Sequence, residues 1–275
     1  MGLQSDEGKP YPMKSRVNID QFWARDLEGF LNTQLSEMPL PGEITNQVEG
    51  ILFAGYLQDM GMLSYAQGAS LKEVQHTFRK SVAFYLEVFR FHGTISSYTD
   101  QDPEESSSDH SLTNSRRALL AMELALACEP TDIAVSLASF VWDPPHASYL
   151  GADSVVCTPQ EQQLAYMLRD LLMGHTGTGG TSIKTLKPET VEQAHRLALL
   201  KALFKKDQTA FEAGLIDLHD SFLCKVRKKE LLSTLDDLLD IPTLAYAMLG
   251  NSVFTRLRGV MPDRFLPLMW REGFE

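Results

Sequence analysis

The sequence predicts an all-α fold, an irregular helical bundle or array of about ten helices without significant sheet. Three observations carry that prediction. Apolar residues recur three and four positions apart along most of the chain, which is the period of one helix face. Capping residues, prolines and glycines punctuate the pattern where helices begin and end. Strand signals are confined to Val155–Val156 and Val253–Phe254, too short to carry a sheet.

Taken in order, Ile19, Phe22, Trp23, Leu27, Phe30, Leu31 and Leu35 share one face of a first helix, with Asn18 as its N-cap and Pro39, Pro41 and Gly42 ending it. A second helix is expected over Glu43 to Met62, through Ile44, Val48, Ile51 and Leu52. Gly68 marks a turn. Ser70 and Glu73 then form a capping box, opening a helix with the stripe Leu71, Val74, Phe78, Val82, Leu86 and Phe89. Residues 96–115 are polar, acidic and serine-rich; few apolar groups offset the entropy of ordering there, so a mobile surface loop is expected. Two short apolar helices follow, Ser115 to Cys128 and Thr131 to Phe140. Pro144, Pro145 and Pro159 forbid a continuous helix through the next connection, and a helix from Pro159 to Met173 runs into a glycine-rich stretch.

Beyond that stretch, helices are expected over Lys187 to Phe204 with Pro188 in the first turn, Asp207 to Cys224, Lys228 to Leu239, and Pro242 to Leu249 ended by Gly250 and Asn251. The expected organisation is a flexible N-terminus over 1–16 followed by one all-helical domain over 17–275, or by two subdomains, 17–95 and 115–275, separated by the acidic loop 96–114.

Composition narrows the function classes. The 275 residues carry 36 acids against 25 bases, a formal charge of −11. Direct nucleic-acid binding needs clustered Lys and Arg to displace counterions, so an acidic chain is a poor candidate for it. Solubility, or docking of a basic partner, fits better. Cys128, Cys157 and Cys224 are far apart and form no C-x-x-C, which argues for free thiols in a reducing compartment. The start of the chain lacks a signal-peptide apolar region, Asp6 breaks the myristoylation pattern, and no apolar run reaches the ~18 residues of a membrane span. A cytoplasmic protein is expected.

Two stretches imitate catalytic motifs. In "GHTGTGGTS", Gly174 to Thr181 copies a phosphate-binding loop except that Gly180 stands where the lysine is needed. The preceding segment reads as helix, not strand, so Gly174 is better explained as the glycine that terminates it. The second stretch is His195 followed by the pair His219–Asp220, with Asp263 further on, an order used by all-helical metal phosphohydrolases. Against it, "SFLCKVRKKE" follows Asp220 with basic residues where such enzymes turn through a glycine. Surface or helix-end histidines are the simpler reading. Cys157 and His146 make at most a nominal thiol–imidazole pair, with a small buried hydrophobe as the plainer account of Cys157. The short basic run Lys225 to Lys229 reads as a solvated helix face.

The acids are more suggestive. Asp100, Asp102, Glu104, Glu105 and Asp109 concentrate in the polar loop, and Asp236, Asp237 and Asp240 near the end of a later helix. Carboxylates at a helix C-terminus oppose its dipole, so the second cluster is not expected to serve helix stability. Both would present negative potential to a basic partner; plain exposure is the alternative.

The run "LSYAQGASLKEVQHTFRKSVAFYLEVF", preceded by "FWARDLEGFL", resembles the N-terminal half of the all-helical immunity proteins of bacterial polymorphic toxin systems. Their turn between two helices stands here as Ser64, Tyr65, Ala66, Gln67 and Gly68. The stretch from "LLKALFKKDQTAFEAGLIDLHDSF" through "DIPTLAYAMLGNSVF" to "MPDRFLPLMW" is similar to their C-terminal half, with an apolar helix, a Gly–Asn turn and the segment Leu266, Pro267, Leu268.

The resemblance implies a cytoplasmic, non-catalytic inhibitor without a cofactor. It would bind one cognate toxin, typically a nuclease effector of a secretion system, by steric and electrostatic occlusion. A nuclease presents a basic groove to phosphates, and carboxylates would stand where the phosphates lie. The expected contacts, chosen from charge and loop position, are Asp100, Asp102, Glu104, Glu105, Asp109, Asp143, Asp236, Asp237 and Asp240. Two other readings stay open: a metal-dependent phosphohydrolase built on His195, His219 and Asp220, and a non-catalytic helical adaptor.

Overall fold

A computed structural model describes residues 21–94, 114–128, 131–140, 158–175, 187–227 and 239–254. Among the described residues the chain is all-α, with nine α-helices, one 3-10 turn and no strand. None of these helices is long and apolar enough to cross a membrane.

The first helix, α1 (Gln21–Leu35), is followed by the 3-10 turn Pro41–Glu43, closed by the Leu40 amide donating to the Glu43 carboxylate at 3.1 Å. The next helix, α2 (Gln47–Gln67), begins four residues later than the spacing predicts, because Asn46 caps it by accepting from the Glu49 amide at 2.8 Å. It also runs past Met62 to the turn at Gly68. There the Ala69 amide reaches back to the Ser64 carbonyl at 2.9 Å, satisfying a terminal acceptor. The expected capping box opens α3 (Leu71–Thr94): the Ser70 amide donates to Glu73 at 2.8 Å and the Glu73 amide to the Ser70 hydroxyl at 3.4 Å. Val74, Phe78, Val82 and Phe89 are buried as the stripe predicts.

At the centre lies α4 (Ser115–Ala127), ten of whose thirteen residues are buried. A helix apolar around most of its circumference needs cover around most of it, and α4 packs on α3, on α5 (Thr131–Ser139), on α6 (Pro159–Leu172) and on α9 (Ile241–Val253). The remaining pair, α7 (Val191–Lys205) and α8 (Gln208–Arg227), pack on each other; α7 also meets α6 and α9, and α8 meets α9. One continuous apolar core joins side chains of α2 through α9.

The glycine stretch resolves at its first residue. Gly174 has φ +71°; its amide donates to the Leu171 carbonyl at 3.1 Å, and the His175 amide donates to the Asp170 carbonyl at 2.8 Å. These are the two bonds of a left-handed helix terminator, so Gly174 ends α6, as its helical context predicts. The rest of the stretch from 176 lies outside the described residues.

Other boundaries differ from expectation. Pro188 is not in the first turn of α7; Thr190 caps that helix, with Gln193 completing the box. Gly250 does not end α9, which continues to Val253. A methyl group on Gly250 would collide with the Phe211 ring, so this glycine serves the close approach of α8 and α9.

Candidate functional site

The expected contact residues Asp100, Asp102, Glu104, Glu105, Asp109, Asp143, Asp236 and Asp237 lie outside the described residues. Asp240 is described, and it is not an exposed surface acid. It is buried at the N-cap of α9, where Oδ1 accepts from the Thr243 amide at 3.2 Å and Oδ2 lies 3.0 Å from Nδ1 of His219. A carboxylate at a helix N-terminus complements the dipole, the reverse of the C-terminal placement expected from sequence.

His195, His219 and Asp220 do not assemble. His219 is neither at the surface nor at a helix end; it is buried within α8, ring-stacked on Phe222 and committed to Asp240. Asp220, its neighbour, is exposed, because successive helical residues point about 100° apart. His195 is half-buried on α7. Among the described residues no three His, Cys, Asp or Glu side chains gather so as to hold a metal ion.

A polar cluster does form inside the bundle, around a residue the sequence reading passed over. Glu123 of α4 is only 1% exposed. Nη1 of Arg196 on α7 reaches both its oxygens, at 3.1 and 3.2 Å, while Nη2 bonds Glu192 one turn earlier. Burial pushes the Glu123 carboxyl up to about 7; Arg196 opposes that rise, and Glu192 and Asp240 add to it. Burial works against the Arg196 charge, but Glu123 and Glu192 outweigh it and hold the guanidinium charged. The Tyr246 phenol of α9 is raised well above its ordinary value by burial and then by Glu123. Glu123, His219, Asp240 and Tyr246 are all buried, so the cluster ties α4, α7, α8 and α9 together from within and reaches solvent only through Glu192 at its edge. Its signal in the sequence was one acid inside "ALLAMELALA", which demands a buried partner.

The open site is on the opposite kind of surface. The helices α1 and α2 form an antiparallel hairpin: Gln67 donates to Glu28 at 3.0 Å, Leu31 packs with Leu63, and Phe30 meets Tyr56 edge-on at 5.6 Å. Ala54 and Leu57 turn α2 toward the core, yet Val48 and Leu52 on its other side are 48% and 47% exposed. With Gln34, Asn46, Glu49, Phe53 and Tyr56 they line an open pocket of about 310 Å³. Phe30 beside it is 49% exposed and Phe22 is 82% exposed, so the first helix does not bury every member of the predicted stripe. Ala24 and Leu31 are the side chains it encloses fully.

This apolar face belongs to an acidic stretch of the chain, with Glu49 at the pocket itself. Residues 21–67 contain six acids and one base, whereas residues 71–94 beside them contain two acids and four bases. Glu49 accepts from the Thr45 amide at 2.8 Å and hydroxyl at 2.9 Å, and these bonds, the backbone one first, lower its pKa and keep it ionised at the pocket rim. The spacing of Val48 and Leu52 marked a helix face but not what covers it. Family models, curated proteins and solved structures yield no match to the chain.

Proposed function

We propose that the protein is a cytoplasmic immunity protein of a bacterial polymorphic toxin system, which binds a cognate toxin, a nuclease effector, and neutralises it by steric and electrostatic occlusion. One observation carries this reading: an apolar face, open on a helix hairpin, set within a strongly acidic stretch. Water-exposed apolar side chains arranged together favour association with another protein. Surrounding carboxylates select a basic partner and speed the encounter. Speed serves an inhibitor that has to act before its target cuts. The resemblance of the chain to all-helical immunity proteins supplies the class of partner.

The test is co-expression with the product of the adjacent reading frame. That product alone is expected to arrest growth of a bacterial host, and this chain to restore growth and co-purify with it. A host that grows no better with the chain present overturns the proposal.

A further inference from the structure

The hairpin geometry narrows what the partner presents. On α2, Val48, Leu52 and Tyr56 follow one another at intervals of four; on α1, Phe30 and Gln34 do the same. Rows of side chains four apart are the ridges that helices use to interlock, and two such rows side by side leave a groove that fits the ridge of a third helix. Within the described residues, α1 packs chiefly on α2, and the side chains between them form a small core that meets the main one through Trp23. Among the described residues past this hairpin, the other large exposed apolar side chains, Leu120, Met173, Val191 and Val253, belong to different helices or their ends. Isolated residues of that kind are ordinary surface. Among the described residues, Val48 and Leu52 are the ones that share a face with an aromatic pair, Phe30 on Tyr56.

We infer that the groove between α1 and α2 receives an amphipathic helix of the toxin, one that carries apolar side chains three or four positions apart flanked by Lys or Arg. The inference rests on the toxin-binding reading above. Helix-in-groove docking explains the repeat of the exposed side chains, and basic flanks answer the six acids of residues 21–67. The same charge argues against a second copy of this chain as occupant, because two such acidic hairpins would repel.

The experiment is calorimetric titration of the purified full-length chain with the product of the adjacent reading frame. It compares the wild type, the double variant Val48→Asp/Leu52→Asp, and Val191→Asp as a control at an exposed apolar site elsewhere. The expected result is a roughly 100-fold loss of affinity for the double variant, as for central apolar anchors of an interface, and no more than a twofold change for the control. Raising salt from about 50 to about 500 mM is expected to slow association about tenfold. Tight binding by both variants alike overturns the groove as the docking site while leaving neutralisation standing. No binding by the wild type overturns both. Sedimentation of the chain alone adds one more outcome: a wild-type dimer that the double variant dissolves makes the occupant a second copy and overturns the inference.

Discussion

The interior around Glu123 and the outer face of α2 are inversions of each other. One places a carboxylate and a guanidinium where apolar side chains belong, and the other leaves valine and leucine in water. Both arrangements are costly, but they are settled differently. The buried charges find their partners inside the chain, with Arg196 on Glu123 and Asp240 on His219. The exposed apolar side chains stay in contact with water. Removing a member of the first set therefore damages the fold, whereas altering the second leaves the fold intact and acts on association.

The largest effect that tests this contrast is Arg196→Ala. It strands the fully buried Glu123, and a loss of about 3–5 kcal/mol is expected in urea unfolding. A loss below about 1 kcal/mol would mean that the pair does not organise the interior.

Acidity probes the same pair. The Glu123 carboxyl moves from 4.5 to about 7 in the folded chain. The folded state thus holds a proton that the unfolded state has released. The stabilisation this confers is full below pH 4.5 and is lost as pH rises through about 7. Across that window the stability attributable to Glu123 should fall by up to about 1.4 kcal/mol per pH unit. Thermal melts of the wild type and Glu123→Gln at several pH values should differ in slope there, with the variant flatter.

A smaller loss, about 2 kcal/mol, is expected for Asp240→Ala in the same unfolding assay, because it removes the cap of α9 and the buried contact with the His219 ring. The smallest effect is expected at Leu52→Asp, within about 0.5 kcal/mol of wild type, since that side chain is already half in water. A loss several times larger would show that the outer face of α2 is covered within the chain, and would erase the contrast with the interior.

Features decided by a few neighbouring residues were legible in the sequence. The box Ser70–Glu73 and the terminator Gly174 stand where local hydrogen-bonding chemistry puts them. Two misplaced features had local signals as well. Thr190 and Gln193 already spell a capping box just beyond Pro188, and Asp240 precedes Pro242 in the manner of an N-cap. The rest depended on residues far away in the chain. Gly250 looked like a helix end because nothing in its surroundings announces the Phe211 ring that occupies its missing side chain. His219 looked like a surface group because its partner lies twenty-one positions on. Val48 and Leu52 mark a helix in the sequence, but their periodicity reports a face and is silent about its cover.

The small core beneath α1 has a dynamic consequence. Only Ala24, Leu31 and Leu63 are fully enclosed there. An element held by so few enclosed side chains opens at a lower free energy than the bundle behind it, so its backbone amides are expected to trade hydrogen for deuterium well before those of α4. The helix that borders the groove then also opens more readily than the central helix α4. A ligand seated against it would be announced first by a slowing of that exchange.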